Sequence, residues 1–150
     1  MRLARELVLV GVILGAAAAP GTIAATTTTP EFQVVVHPSV KGTWISRASL
    51  QALFTGQTDR WGDKAVAKPV DQSMKTPVRH AFTSSVLGLS IGGIQRLWQD
   101  RVAAQRVFPP PIKSSDAEVL AFVAGTTGAV GYVGPDTAIP EGVKVISVVD

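Results

Sequence analysis

The sequence predicts an α/β fold in which a central mixed sheet is flanked by helices. Short β-branched segments alternate along the chain with segments whose apolar residues recur at helical spacing. The chain has 150 residues, a length that suits one domain, and it has no cysteine, so packing alone must hold the fold together. The expected order of elements is β-α-β-α-α-α-β-β, without an internal repeat.

Four β-branched or apolar segments are predicted as strands. They are FQVVVHP (32–38), AVAKPVD (65–71), AVGYV (129–133) and VKVISVV (143–149). The valine run of the first segment is typical of a buried strand. Pro69 has no N–H to donate, so the second segment should lie at a sheet edge or be kinked.

Four segments have helical apolar spacing, with a hydroxyl residue placed to cap the first turn. The predicted helices cover 45–56 with Ser46 as cap, the stretch from Thr76 to the LG pair at 87–88, a longer stretch after Ser90, and 115–125 with Ser115 as cap. The residues expected to face the core are Leu50, Leu53 and Phe54, then Val78, Ala81, Phe82 and Val86, then Ile91, Ile94, Leu97, Trp98 and Val102, and finally Val119, Leu120 and Val123. FPPPIK (108–113) is predicted as a rigid connector.

The first 25 residues have the three-part pattern of a secretory signal peptide. Arg2 and Arg5 precede an apolar run over 7–19, and small residues follow. This run is shorter than the roughly 20 residues that a membrane-spanning helix needs, so an uncleaved anchor is the less favoured alternative. The pattern predicts an exported protein, and the periplasm of a bacterium is the expected compartment.

We expect cleavage near Ala24 or Ala25, a polar linker over 26–31 and a folded domain over 32–150. Loss of the signal peptide leaves 12 Lys and Arg against 10 Asp and Glu, and the formal net charge falls from +3 to +2. That charge is too small to indicate a nucleic-acid partner, and export also speaks against one.

Two motifs suggest chemistry that their context does not support. GLSIG (88–92) matches the G-x-S-x-G nucleophile elbow, but a helix precedes Ser90 where the elbow needs a strand. GTTGAVGYVG (125–134) leads out of a helix into a strand, the reverse of a dinucleotide-binding loop. We expect Ser90 to cap a helix and the glycines to allow close packing.

No other set of side chains forms a catalytic or metal-binding pattern. His37 and His80 have no metal-ligand spacing with each other or with an acidic pair, and both precede Ser90, against the order of a hydrolase triad. Asp59 and Asp63 are typical of turn residues. The sequence therefore predicts a protein that is not an enzyme and needs no cofactor.

The stretch DQSMKTPVRHAF (71–82) leaves two interpretations open. Thr76 followed by Pro77 is a common way to start a helix, because the N–H that proline lacks would have no intrahelical partner. The same helix start attracts anions through its free N–H groups and its dipole. Lys75 and Arg79 place positive charge beside it, and arginine can donate two hydrogen bonds to a tetrahedral oxyanion.

Three segments together resemble the substrate-binding proteins of phosphate ABC transporters. ISRASLQALFTGQTDRWGD (45–63) resembles their Leu-Ser-x-x-x-Leu-x-x-Ile-Phe-x-Gly-x-x-x-x-Trp segment. SDAEVLAFVAGTTGAVGYVG (115–134) resembles the segment that ends in Gly-Ala-Ile-Gly-Tyr-Val, and FQVVVHPSV (32–40) resembles the strand leading into their second lobe. The resemblance covers about residues 32–134. It implies one lobe of a type 2 periplasmic-binding-protein fold and a phosphate or oxyanion ligand.

The chain departs from this family in two ways. It is too short for two lobes that close on a ligand, so a bound anion would stay half solvated and weakly held. Where the family has Gly-Ser-Gly-Thr, this chain has Lys75, Thr76, Pro77 and Val78. The resemblance implies an anion site made by Lys75, Thr76, Val78 and Arg79, with one backbone donor and one hydroxyl lost.

The predicted function is therefore weak, non-catalytic oxyanion binding by an exported single-lobe domain. The alternative is a lobe that has lost its ligand and serves as a protein-interaction module of the envelope. An envelope transporter or sensor protein, or a second copy of the chain, is the partner expected in either case. Trp44 and Trp61 are candidates for a contact surface, with half-buried packing as the plainer explanation.

Overall fold

The computed structural model describes residues 31–150 together with Gly21. The predicted signal peptide (1–25), apart from the exposed Gly21, and the linker residues 26–30 lie outside the described residues. The elements of the described part, in chain order, are β1 (Gln33–Val36), β2 (Trp44–Ser46), α1 (Arg47–Phe54), β3 (Lys68–Pro69), β4 (Asp71–Gln72), α2 (Pro77–Phe82), α3 (Ile91–Gln105), β5 (Ile112–Lys113), α4 (Asp116–Gly125), β6 (Ala129–Val133) and β7 (Lys144–Val149).

A five-stranded mixed sheet forms the centre of the fold, with strand order β2-β7-β1-β6-β3. Strand β1 lies in the middle and pairs antiparallel with both β6 and β7. The outer strands β2 and β3 pair in parallel with β7 and β6. A separate parallel pair, β4 with β5, completes the strands of the described residues. The predicted mixed sheet with flanking helices is confirmed.

The two faces of the sheet bury two hydrophobic clusters. Because side chains alternate along a strand, Val34 and Val36 enter one cluster and Val35 enters the other. Helices α1, α2 and α3 cover the first face, and α4 covers the second. On the first face Phe82 stacks on Tyr132, with ring centroids 3.9 Å apart and planes 5° apart.

The predicted helix caps at three serines are confirmed. The hydroxyl oxygens of Ser46, Ser90 and Ser115 accept hydrogen bonds from the backbone N–H groups three residues later. Helix α2 continues directly into a π-helical turn, Thr83–Leu87, which ends at Gly88 in the left-handed conformation. The predicted stop at the LG pair is therefore also confirmed.

Tertiary pairing shortens or divides three predicted elements. The first helix starts at Arg47 rather than at residue 45, because Trp44–Ser46 pair with β7. The predicted strand 65–71 is reduced to β3 at the sheet edge, as Pro69 suggested, and Asp71 then turns to pair with β5. Part of the predicted connector 108–113 therefore forms a strand.

The glycine-rich segment after α4 packs closely, as predicted. A Cβ atom on Gly131 would lie 2.7 Å from Val70 Cγ1 and 2.8 Å from Val119 Cγ1, which leaves no room for a side chain between the sheet and α4. Gly128 has φ +79° and lies against the backbone of Val66. In the part of the chain that the structure describes, no helix is long and apolar enough to cross a membrane.

Candidate functional site

The helix start at Thr76 opens onto a cleft at the surface. Thr76 is the N-cap residue of α2, with extended backbone, and Pro77 is the first helical residue. The Thr76 hydroxyl makes no capping bond and instead donates to the carbonyl oxygen of Ser73, at 2.8 Å. The Thr-Pro pair therefore starts a helix, which is the simpler of the two interpretations of this stretch.

The cleft has a volume of about 750 Å³ and lies between the starts of α2 and α4 and the end of β6. Its wall includes Thr76, Val78, Gln72, Asp116, Gly134 and Glu31. Of the four predicted site residues, Thr76 and Val78 line this cleft. Lys75 is exposed and does not belong to this lining.

Arg79 lies in the interior of the protein, and its side chain is only 5% exposed. Its guanidinium forms an ion pair with Asp71, and it donates hydrogen bonds to Thr83 Oγ1 and to the carbonyl oxygen of Gln72, both at 3.1 Å. These buried groups engage Nε and Nη1 of the guanidinium, which was predicted to face an anion. The guanidinium is therefore a structural group in this conformation.

A buried network around Asp71 was not predicted from the sequence. The Asp71 carboxylate accepts hydrogen bonds from the Tyr132 hydroxyl and, at 3.0 Å, from the backbone N–H of Gln72. Burial raises the pKa of Asp71, an effect that the charge of Arg79 and these hydrogen bonds oppose. Burial and the neighbouring Asp71 charge raise the pKa of Tyr132. Since 61 residues separate Asp71 from Tyr132, no local pattern could reveal this network.

The cleft has a polar wall built around Asp116, a residue that the sequence did not indicate as part of a site. Asp116 Oδ1 accepts from Gln72 Nε2 at 2.6 Å, while Oδ2 accepts from the Gly134 N–H at 2.9 Å and from the Thr137 hydroxyl. Partial burial acts to raise the pKa of Asp116, but the three hydrogen bonds outweigh it and lower the pKa below its usual value. Asp116 is thus an ionised carboxylate at neutral pH.

The other candidate residues have structural roles. Ser90 caps α3 by accepting from the N–H of Gly93 at 3.1 Å. The ring of His37 bonds Ser39, and the ring of His80 bonds the carbonyl oxygen of Met74. Among the described residues no group of three or more His, Cys, Asp and Glu residues is placed to hold a metal ion.

A second and larger depression, of about 860 Å³, lies beside the outer strand β2. Trp44 and Trp61 both line it. Trp44 is 62% exposed, whereas Trp61 is half-buried and donates from Nε1 to the carbonyl oxygen of Gly128 at 3.0 Å. The structure therefore separates the two tryptophans: Trp61 is anchored by packing, and Trp44 offers an exposed ring.

The fold resembles those of several solved phosphate-transport proteins. An ABC-type phosphate transport receptor from Vibrio cholerae is 21% identical, with a TM-score of 0.60 over 81% of this chain and 48% of its own. PstS from Borrelia burgdorferi is 17% identical, with a TM-score of 0.61 over 79% and 47%. A structure from Clostridium perfringens, described as a phosphate ABC transporter substrate-binding protein with bound phosphate, is 15% identical, with a TM-score of 0.60 over 79% and 44%.

These comparisons confirm the predicted resemblance at the level of the fold. The chain spans less than half the length of each of these proteins, as a single-lobe member would. No protein-family model and no curated protein sequence matches the chain.

Proposed function

We propose that this chain is an exported, non-catalytic binding domain that holds a phosphate-like oxyanion weakly in the cleft at Thr76. The observation that carries the proposal is the fold, which is shared with three structures described as phosphate-transport proteins, one of them with bound phosphate. These structures are described as transport or binding proteins, which supports a role without catalysis. The position of Thr76 and Val78 on an open cleft supports this place for the ligand.

The donors left at this helix start are few. The N–H of Val78 lies in the first turn, where it has no intrahelical acceptor. The Arg79 N–H donates to the carbonyl oxygen of Thr76 at 3.2 Å, a long bond that an anion has to compete with. The Thr76 hydroxyl can turn from Ser73, and Lys75 adds an exposed positive charge.

The proposed affinity is low for a physical reason. Pro77 has no N–H, and the Arg79 guanidinium is held by Asp71. Each charge-assisted hydrogen bond that is missing lowers the affinity by about 1.5–3 kcal/mol, roughly ten- to a hundredfold. We therefore expect phosphate to bind with a Kd on the order of millimolar.

The test is an NMR titration of the mature protein with phosphate at low salt, with sulfate as the second anion. We expect saturable shifts at the amides of Val78 and Arg79. The variant Thr76→Ser/Pro77→Gly/Val78→Thr adds one N–H and one hydroxyl, and should bind phosphate at least tenfold more tightly, about 1.4 kcal/mol.

Lys75→Ala should weaken binding, because Lys75 directly precedes the helix start at Thr76. Lys64→Ala is the matched control, since Lys64 is an exposed cation outside the segment 71–82. Absence of saturable binding in both the wild type and the triple variant would refute the proposal. Export is tested separately, by measuring the mass of the protein recovered from the periplasm. A mass that corresponds to cleavage after Ala24 or Ala25 is expected, and an uncleaved chain would contradict it.

A second candidate is a protein-interaction module, and the 62% exposed ring of Trp44 favours it. An exposed tryptophan beside an apolar depression is typical of a contact surface. Trp44→Ser should remove a cross-linked envelope partner without changing the free energy of unfolding, because the ring lies outside the core. Equal cross-linking by the wild type and the variant would exclude this surface.

A further inference from the structure

The described residues cover the second face of the central sheet over only part of its width. Helix α4 packs on this face over β1 and β6, where Val35, Ala129 and Val133 are buried. Strands β7 and β2 form the opposite side of the sheet. The side chains that β7 and β2 present on this face decide what the bare part can bind.

The strand register determines which side chains these are. Val145 pairs with Val35, so both side chains lie on the same face. Because side chains alternate along a strand, Ser147 and Val149 lie there too, and Trp44 joins them from β2 because it pairs with Ser147. Trp44 is 62% exposed, Val145 45% and Val149 39%. These four residues form an apolar surface, here called the β7 patch.

The composition of the β7 patch differs from that of a face that water covers. In an antiparallel sheet with one solvated face, the outward positions are usually polar. No residue of the patch is charged, and the edge strand β2, Trp-Ile-Ser, has neither the lysine nor the proline that often protects an edge. Three of the seven large apolar side chains that are exposed in the described part of the chain belong to the patch. Such a surface is typical of a protein contact.

The spacing of the β7 patch makes it complementary to itself. Val145 and Val149 lie two positions on either side of Ser147, the residue that pairs with Trp44. A two-fold axis that crosses the strands at this level places Val145 of each copy on Val149 of the other and brings the two Trp44 rings together. A symmetric dimer needs this kind of self-complementary surface. Because the patch is uncharged, two copies that each carry a formal charge of +2 after signal-peptide loss can meet there without like charges in contact.

The size of the β7 patch predicts a weak dimer. Strand β7 has 6 residues, so it is about 20 Å long at roughly 3.3 Å per residue, and two neighbouring strands are about 10 Å wide. This is well below the roughly 800 Å² that each partner buries in an interface of standard size. We therefore expect a dissociation constant on the order of 100 µM.

We infer that two copies of this chain form a weak dimer by packing their β7 patches face to face about a two-fold axis. The two β7 strands are antiparallel, and the two sheets lie about 10 Å apart. The inference rests on the second candidate function, since it names the partner of the exposed Trp44 surface, and it does not depend on oxyanion binding.

The test is sedimentation equilibrium of the mature protein from about 5 µM to about 1 mM, a range that includes the expected dissociation constant. We expect the mean mass to rise from that of a monomer towards that of a dimer. Val145→Lys and Val149→Glu should each weaken association about tenfold or more, because each places a charge against an apolar side chain. The double variant Val145→Lys/Val149→Glu should recover most of this loss, since only the antiparallel register brings the opposite charges together.

Val66→Lys is the matched control, because Val66 is a valine of similar exposure, 41%, outside the β7 patch. It should leave the association unchanged. Trp44→Ser should also weaken association about tenfold or more, and it keeps the inference testable if a charge on β7 prevents folding.

A monomer mass at every concentration overturns the inference, and it leaves both the oxyanion proposal and an unlike partner at Trp44 standing. Association that survives Val145→Lys, Val149→Glu and Trp44→Ser overturns the assigned surface, as does association that Val66→Lys removes. Loss in both folded single variants without recovery in the folded double variant overturns the two-fold register.

Discussion

Replacing Arg79 by methionine tests whether this residue stabilises the fold through its buried ion pair or is available to bind a ligand. Its guanidinium neutralises the buried carboxylate of Asp71, whose side chain is 7% exposed. Removing one partner of a buried ion pair costs about 3–5 kcal/mol, because the remaining charge stays desolvated without compensation. The hydrogen bonds to Thr83 and Gln72 are lost as well.

We therefore expect Arg79→Met to lower the free energy of unfolding by about 3–5 kcal/mol, a large part of the roughly 5–15 kcal/mol of a typical domain. Urea unfolding followed by tryptophan fluorescence, to which the buried Trp98 contributes, measures this change. Lys75→Met is the matched control, since this exposed cation belongs to the same segment and should change stability by less than about 0.5 kcal/mol.

A loss below about 1 kcal/mol in Arg79→Met would refute this description, because that is the value of an exposed ion pair. The double variant Asp71→Asn/Arg79→Met removes both charges and should recover part of the loss. The same reasoning makes Arg79→Ala unsuitable as a test of phosphate binding, since loss of the site and loss of the fold would coincide.

Three further changes have directions that follow from the described contacts. Tyr132→Phe leaves the buried Asp71 carboxylate without one donor and should cost about 1–3 kcal/mol in urea unfolding; an unchanged midpoint would contradict the network. Gly131→Ala forces a Cβ against two valines at 2.7 and 2.8 Å and should lower the free energy of unfolding by about 1–3 kcal/mol. Gly92→Ala, in α3 with its nearest atom at 4.0 Å, should raise it by up to about 1 kcal/mol. If Gly92→Ala were the more destabilising of the two, the packing of Gly131 against α4 would be loose. The lowered pKa of Asp116 means that its contribution to stability is present above the usual value of 3.8 and is lost as pH falls through the lower folded pKa. The stability difference between the wild type and Asp116→Asn should therefore be constant from pH 7 to 5 and shrink below pH 3.8. A difference that grows below pH 3.8 would mean that folding raises the pKa of Asp116 instead of lowering it.

The secondary structure was largely predictable because it depends on residues that are close in sequence. The serine caps and the apolar faces of α1 and α4 follow from spacings of three or four residues, and the structure confirms them. The boundaries that were wrong, at Trp44–Ser46 and Ile112–Lys113, belong to short strands that exist only through pairing with distant segments. Strand propensity alone cannot predict such pairing.

The candidate site was predictable in position but not in composition. The Thr-Pro pair correctly indicated a helix start, and Thr76 and Val78 do line a cleft. The same spacing suggested that Arg79 would face this cleft, yet its side chain turns inward to Asp71. The helical period places a residue on one face of a helix. Only the neighbouring elements decide whether that face meets solvent or a buried charge.

The sequence by itself determined the α/β class, the helix starts, the close packing at the glycines and the resemblance to one lobe of a phosphate-binding protein. These features depend on local backbone preference and on the periodicity of apolar side chains. Only the tertiary structure decided that Arg79 is an interior ion-pair partner, that Asp116 and Gln72 form a wall of the cleft, and that Trp44 is exposed while Trp61 is anchored. Each of these depends on contacts between distant segments, such as the 44 residues between Gln72 and Asp116, because charge and burial are properties of the packed whole.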